Sequence, residues 1–374
     1  MSCNKLHVPF VKLRDICDIN SGQNAPQNSE DYCPQGFTFI KASDLESVIN
    51  DDNENNTTKI TKSAITKYKL KQFPEQSVVF AKSGLSCKKN RIYVTKKATF
   101  VVNHLCVLSN FSSNFLPNWI ALFLKEFNVT RLIKDDSYPS IKLSDIGNID
   151  IPVINKAEQG EKVSEIESIC STIRNKKKQI LNFDSLVKSR FIEMFGNPIS
   201  EQKWIVKKWN DVLEIKNGKD YKKKNLSNKE NGYPVYGSGG FMNIYADTYL
   251  CEGIITIIGR KGNINNPLLV EGKIWNVDTA FGIIVKSDIL NPIFFHHCSK
   301  FYDYEKLNKA TTIPSLTKSD LLNLEIIIPP IELQDKFADF VHLIDKSRFV
   351  VQKEIKDLQE LLDSKMDEYF GGEE

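Results

Sequence analysis

The sequence has no apolar run long enough for a membrane-spanning helix. Its opening, MSCNKLHVPFVKL, also lacks the apolar stretch of a secretory signal, so a cytosolic, cytoplasmic chain away from any membrane is expected. Its eight cysteines include no C-x-x-C pair, which fits neither a disulfide framework nor a zinc finger. Five histidines (7, 104, 296, 297 and 342) follow no pattern. The neighbours His296, His297 and Cys298 point in different directions and have no second ligand pair, so they read as ordinary residues without a metal. A G-x-x-x-x-G-K-[ST] loop is missing, because Gly218-Lys219 runs on to Asp220 and Gly272-Lys273 to Ile274. Amino-methyl transfer calls for Asn or Asp before Pro-Pro-aromatic, but the three Asn-Pro pairs are followed by Ile, Leu and Ile. A large excess of either charge is missing too, with 50 Lys and Arg against 47 Asp and Glu. The net value is +3, so any nucleic-acid surface must come from local clustering.

What the chain does have is a repeat. YPSIKLSDIGNIDIPV at 138–153 returns as IPSLTKSDLLNLEIIIPP at 313–330, with Pro139, Ser140, Asp145 and Asn148 matching Pro314, Ser315, Asp320 and Asn323 at a constant offset of 175. Gln159 and Gln334 keep that offset, as do Ser189, Phe195 and Gly196 with Ser364, Phe370 and Gly371. Earlier in each copy, Leu13–Gly22 resembles Trp209–Gly218 at an offset of 196. The second globular segment is therefore about twenty residues shorter, while the stretches after it hold their length.

Those stretches have helical periodicity. In 160–195 apolar residues fall at Val163, Ile166, Cys170, Ile173, Ile180, Val187, Phe191 and Met194, a heptad seam whose gaps hold Lys177 and Asp184. In 335–370 the stripe is Phe337, Phe340, Ile344, Val351, Ile355, Leu358, Leu362, Met366 and Tyr369. Such long helices cannot bury their stripes alone, so pairing as an antiparallel coiled coil is expected.

The segments before them read as mixed and β-rich, with strands at 36–40, 77–80, 100–102, 253–258 and 281–285. Short helices are expected from Pro117 and Pro292, which keep the 175 offset, and loops at Asn50–Thr58 and Gly237–Gly240. The fold class is thus α+β, a tandem repeat with pseudo-two-fold character: globular domains at 1–155 and 198–331, long helices at 156–197 and 332–374.

Basic residues cluster as Lys82, Lys88, Lys89, Arg91, Lys96 and Lys97 in the first segment, and as Lys219, Lys222, Lys223, Lys224, Arg260 and Lys261 in the second. With Ser83 and Tyr221 beside them, they are candidate DNA contacts, since phosphates take Lys, Arg and hydroxyls and base edges favour Arg and Lys. A nuclease reading would use Glu271 and Lys273 with Glu252 or Asp247 upstream. A coiled-coil interaction protein without a DNA role is the third alternative.

Taken together, the doubled Pro-Ser…Ser-Asp-x-x-Asn segment, the glutamine at each helix start and the Phe-Gly close resemble the DNA-specificity subunits of type I restriction-modification systems across nearly the whole chain. In place of Glu158-Gln159 the second copy has Leu333-Gln334. The resemblance implies a non-catalytic chain with two target-recognition domains, each reading half of a bipartite site in double-stranded DNA. It also implies that the helices act as spacer and dock two methyltransferase subunits, with restriction motor subunits joining. S-adenosylmethionine, ATP and Mg would belong to those partners, leaving no cofactor in this chain.

Overall fold

A computed structural model describes residues 9–201, 203–221, 226–308, 310 and 312–371. Residues 1–177 with 354–374 form one compact unit and 178–353 a second. The first has a four-stranded antiparallel sheet ordered Asp18–Ser21, Leu105–Ser109, Val78–Ala81, Ile92–Val94. The second repeats that order as Leu213–Asn217, Ala280–Val285, Cys251–Gly259, Leu268–Asn276 and extends it to seven strands with Tyr233–Gly237, Gly240–Ala246 and Leu226–Ser227.

Central strands are continuously apolar because both faces are covered. Val78 and Phe80 face the core around the helix Pro117–Phe127, while Val79 and Ala81 face a second core on the other side of the sheet. Ile258 and Ile257 divide in the same way in the second unit. The strands expected from sequence at 36–40, 77–80, 100–102, 253–258 and 281–285 fall in observed strands, trimmed at Ser77 and Val102. The helices from Pro117 and Pro292 are also present. Of the Asn50–Thr58 loop, the first two residues belong to the helix Leu45–Asp51, which ends at Asp52 in a left-handed turn. The segment Gly237–Gly240 is the turn between two paired strands.

In each unit the strand that opens the repeat pairs with the one that closes it, Phe10–Lys12 with Asp150–Pro152 and Ile205–Lys208 with Glu325–Ile328. The units differ in what lies between. From Gly22 to Gly84 the first inserts the strands Tyr32–Ile40 and Lys59–Ile60, which form a separate three-stranded sheet with the later Phe100–Val101, and the helices Leu45–Asp51 and Lys62–Lys67; the second carries its hairpin there. Over this stretch the spacing between equivalents falls from 196 (Gly22, Gly218) to 178 (Gly84, Gly262), which locates most of the length difference.

The long helices span Lys156–Phe195 and Ile331–Phe370, 40 residues each, or about 60 Å. The first takes Gly160 inside it. Each start is clamped by a fully buried glutamine. Gln159 Oε1 accepts from Leu116 N (2.9 Å), and its amide donates to the carbonyls of Asn114 (2.9 Å) and Ile154 (3.0 Å). Gln334 repeats this with Asn291 N (2.8 Å), Ile289 (3.2 Å) and Pro329 (2.8 Å), and all three partners keep the repeat's offset.

Within the first unit Ile166, Ile169 and Ile173 pack with Leu362 and Met366, and Tyr369 donates to Glu165. Within the second, Val187, Phe191 and Phe195 share a core with Phe337, Ala338, Val341 and Ile344. Numbers rise on one helix as they fall on the other, so the pairing is antiparallel in each. The seam differs from the expected one by small shifts. Ile169 is buried where Cys170 was expected, Ala338 and Val341 join, and Ile180, Phe340, Ile355 and Leu358 are half-buried, whereas Val163 and Val351 are buried. Lys177 is exposed; its neighbour Lys176 occupies the gap and binds Glu354 at 2.7 Å. Asp184 does fill the second gap, paired with Arg348 at 2.8 Å.

Candidate nucleic-acid interface

In the first unit four segments converge where the central strand Val78–Ala81 ends. Lys82 N donates to His104 O (2.9 Å), Ile141 N to Lys82 O (2.8 Å) and Gly84 N to Pro139 O (3.0 Å), with Ser83 bridged to Ser140. Ser83 Oγ is 2.8 Å from His104 Nδ1. Asn103 N donates to Gln23 O (2.8 Å), and its side-chain amide to Asn24 Oδ1 (2.6 Å). In the second unit Arg260 N donates to Thr279 O (2.7 Å), Leu316 N to Arg260 O (2.9 Å) and Gly262 N to Pro314 O (2.9 Å), with Lys261 bridged to Ser315. The repeated Pro-Ser is therefore a latch that holds a basic loop at the end of a core strand.

Two glycine pairs make the latch possible. Gly84 and Gly262 turn the loop at φ 76° and 79°, a region that L side chains rarely enter. Gly22 and Gly218 lie against carbonyls of the strand-linking segment: an added Cβ would sit 2.2 Å from Val102 O in one and 1.9 Å from Val277 O in the other. From these glycines Gln23 and Lys219 run on beside the basic loops, and Lys219 N donates to Asn276 O at 3.0 Å.

Sequence candidates divide accordingly. Lys82 and Ser83 sit in the first latched loop, and Arg260 and Lys261 in the second, with Lys219 on the adjoining segment. Arg260 packs over the Phe281 ring (5.8 Å), and Lys219 and Lys261 are exposed. Tyr221 packs against the cluster of Val235, Ala246, Trp275 and Val277. Lys88, Arg91 and Lys96 spend their charge inside the unit on Asp136 (2.8 Å), Glu46 (2.5 Å) and Asp52 (2.8 Å). Lys89 and Lys97 are exposed. Lys222, Lys223 and Lys224 lie outside the described residues. Sequence reasoning missed Asn24, Asn103 and His104 in the first cluster, Thr279 in the second, and the exposed Tyr138 and Ile313. Tyr138 and Ile313 were within reach of the repeat, standing one position before Pro-Ser in both copies, whereas the others meet the loops only through the fold.

The other candidate chemistry sits elsewhere. Glu252 and Lys273 face each other across a hairpin at 3.6 Å, where Gly253 pairs with Gly272 and Glu271 stands opposite Ile254, and Lys273 lies over the Tyr249 ring. Burial holds His296 down to about 2 and His297 to about 3, and pushes the Cys298 thiol up to about 12. Among the described residues no three His, Cys, Asp or Glu gather to hold a metal, and no helix is long and apolar enough to cross a membrane.

The family described as type I restriction modification DNA specificity domain matches residues 7–182 and 201–360. The type I restriction enzyme MjaIX specificity subunit of Methanocaldococcus jannaschii is 28% identical over 179 residues, 46% of this chain; the match spans 39% of that relative's length. Among solved structures, the type I restriction-modification S subunit from M. genitalium aligns over 100% of this chain and 98% of its own, with TM-score 0.65 and 15% identity. A chain from a structure on complex assembly and conformational transition of a type I R-M system aligns over 98% and 99%, with TM-score 0.59 and 16% identity. These two share the fold.

Proposed function

The chain belongs to the type I restriction-modification DNA specificity family, as a specificity subunit, and we propose that each of its units reads one half of a split site in double-stranded DNA. The observation that carries this reading is the latched basic loop, present once per unit in the same backbone geometry but with different side chains. Equivalent placement suits two half-sites approached in the same way. Lys82, Ser83 and His104 against Arg260, Lys261 and Thr279 offer different donors and acceptors, hence different bases. Backbone N–H groups and the exposed flanking lysines, Lys89 in the first unit and Lys219 in the second, take phosphates and fix the register, and the side chains of the latched loops face base edges.

The long helices, in this reading, set the gap between half-sites and carry the docking surface for two methyltransferase subunits, which motor-nuclease subunits join. S-adenosylmethionine, ATP and Mg then act on those partners. A heptad corresponds to about 10 Å of helix. Removing one from each long helix at the same level is expected to change the tolerated gap by about three base pairs, at ~3.4 Å each, and to leave both half-sites intact. Mapping the methylated sites of host DNA checks this; altered half-sites at an unchanged gap would overturn the proposal.

A further inference from the structure

Immediately before each Pro-Ser latch stands a large apolar side chain, Tyr138 in one copy and Ile313 in the other, equivalent positions of the repeat. They are 82% and 60% exposed. A lone exposed apolar residue is ordinary in a folded protein. Here the same position is apolar and exposed twice, on backbone that is held in place. Gly84 N and Gly262 N bond the prolines that follow, and on the far side of each latch Ile141 and Leu316 are buried at 4% and 3%. The latch thus anchors one side chain in the core and presents the other outward, beside Lys82 and Ser83 in the first unit and Arg260 and Lys261 in the second. The bridge pairs Ser83 with Ser140, so Leu85, 78% exposed, also lies past the latch on the opposing strand; the second unit has Asn263 there. The feature common to both copies is therefore the residue before Pro-Ser.

Tyr and Ile share apolar bulk and no hydrogen-bonding group. Among the groups DNA displays in the major groove, the C5 methyl of thymine is the apolar one. Resting on the reading of both loops as DNA readers, we infer that Tyr138 and Ile313 are specificity-determining residues, each packing on a thymine methyl group in one half-site. Each contact selects T at one base pair and leaves the phosphate contacts unchanged.

The test uses the full chain expressed in its own host, so that partner subunits copurify, and a randomised duplex library to select the bound sequence. Each half-site is expected to hold a thymine whose replacement by uracil, which deletes only the methyl, weakens binding about fourfold, the value of burying one carbon. Tyr138→Ala removes that sensitivity in one half-site alone, and Ile313→Ala in the other alone. Both residues are exposed, so thermal unfolding should match the parent chain. The inference is overturned if both variants keep the uracil sensitivity of the parent, or if they weaken selected and unrelated duplexes alike. A library that yields no enriched sequence would instead overturn the DNA-reading proposal beneath it.

Discussion

Replacing Gln334 by Ala strips three backbone groups of their partner: Asn291 N–H and the carbonyls of Ile289 and Pro329. A net ~1 kcal/mol per hydrogen bond, less a few tenths for the better helix former, gives a loss of about 3 kcal/mol. Gln159→Ala breaks the same three bonds, to Leu116, Asn114 and Ile154, and should cost the other unit a similar amount. Tryptophan fluorescence separates the two, since Trp119 lies in the first unit and Trp204, Trp209 and Trp275 in the second. With a urea slope of about 2 kcal/mol per M, the midpoint of the affected unit falls by about 1.5 M. Gln159→Glu adds a pH signature. A buried carboxyl facing two carbonyls has its folded value raised above the unfolded ~4.3, so the folded state binds the proton more tightly. Stability is then greatest below the unfolded value and is lost as pH rises through the folded one. This variant should unfold at lower urea at pH 7 than at pH 4. A Gln334→Ala shift under ~0.5 kcal/mol, or a Gln159→Glu chain unaffected at pH 7, would refute the clamp.

Gly218→Ala puts a Cβ 1.9 Å from Val277 O and 2.7 Å from Ala280 O; a loss of about 3 kcal/mol, the upper range for overpacking, is expected in urea unfolding, together with weaker DNA binding in a gel shift. Phe191, fully buried against Phe195, Phe294, Phe301 and Phe337, should cost about 3–5 kcal/mol as Ala. Asp184→Ala, by contrast, breaks a pair whose carboxylate is 69% exposed and should cost under ~1 kcal/mol. His296 titrates near 2 in the folded chain against ~6.5 unfolded, so the stability it contributes is complete above pH ~6.5 and drains as pH falls below it. His296→Leu should flatten the acid limb of the second unit, read by its tryptophans. The first unit, with Ala121 and Leu122 at the places equivalent to the two histidines, should not change.

The helices were readable because a constant offset of 175 fixes their starts and a period of three and four fixes their buried face. The one-residue differences, Ile169 for Cys170 and Lys176 for Lys177, are local, because Ile173 and Val187 are buried at their expected seam positions. Val78–Ala81 could be read as a strand since an apolar run that short suits a sheet covered on both sides. Which lysines are free could not be read. Arg91 is neutralised by Glu46 and Lys88 by Asp136, partners brought close only by the fold. The Pro-Ser segment was visible as a repeat, but its role depends on hydrogen bonds to residues over fifty positions earlier. Tyr138 and Ile313 escaped notice because exposed apolar residues look like core residues in a sequence.

The central claim is that each unit reads its own half of one split site, and Arg260→Ala combined with Lys261→Ala tests it most directly. Methylated sites should be mapped in host DNA for the parent and the double variant. The account expects a bipartite site in the parent; in the variant one half should become degenerate, while the other half and the gap persist. A single continuous site, or degeneracy in both halves at once, would contradict it.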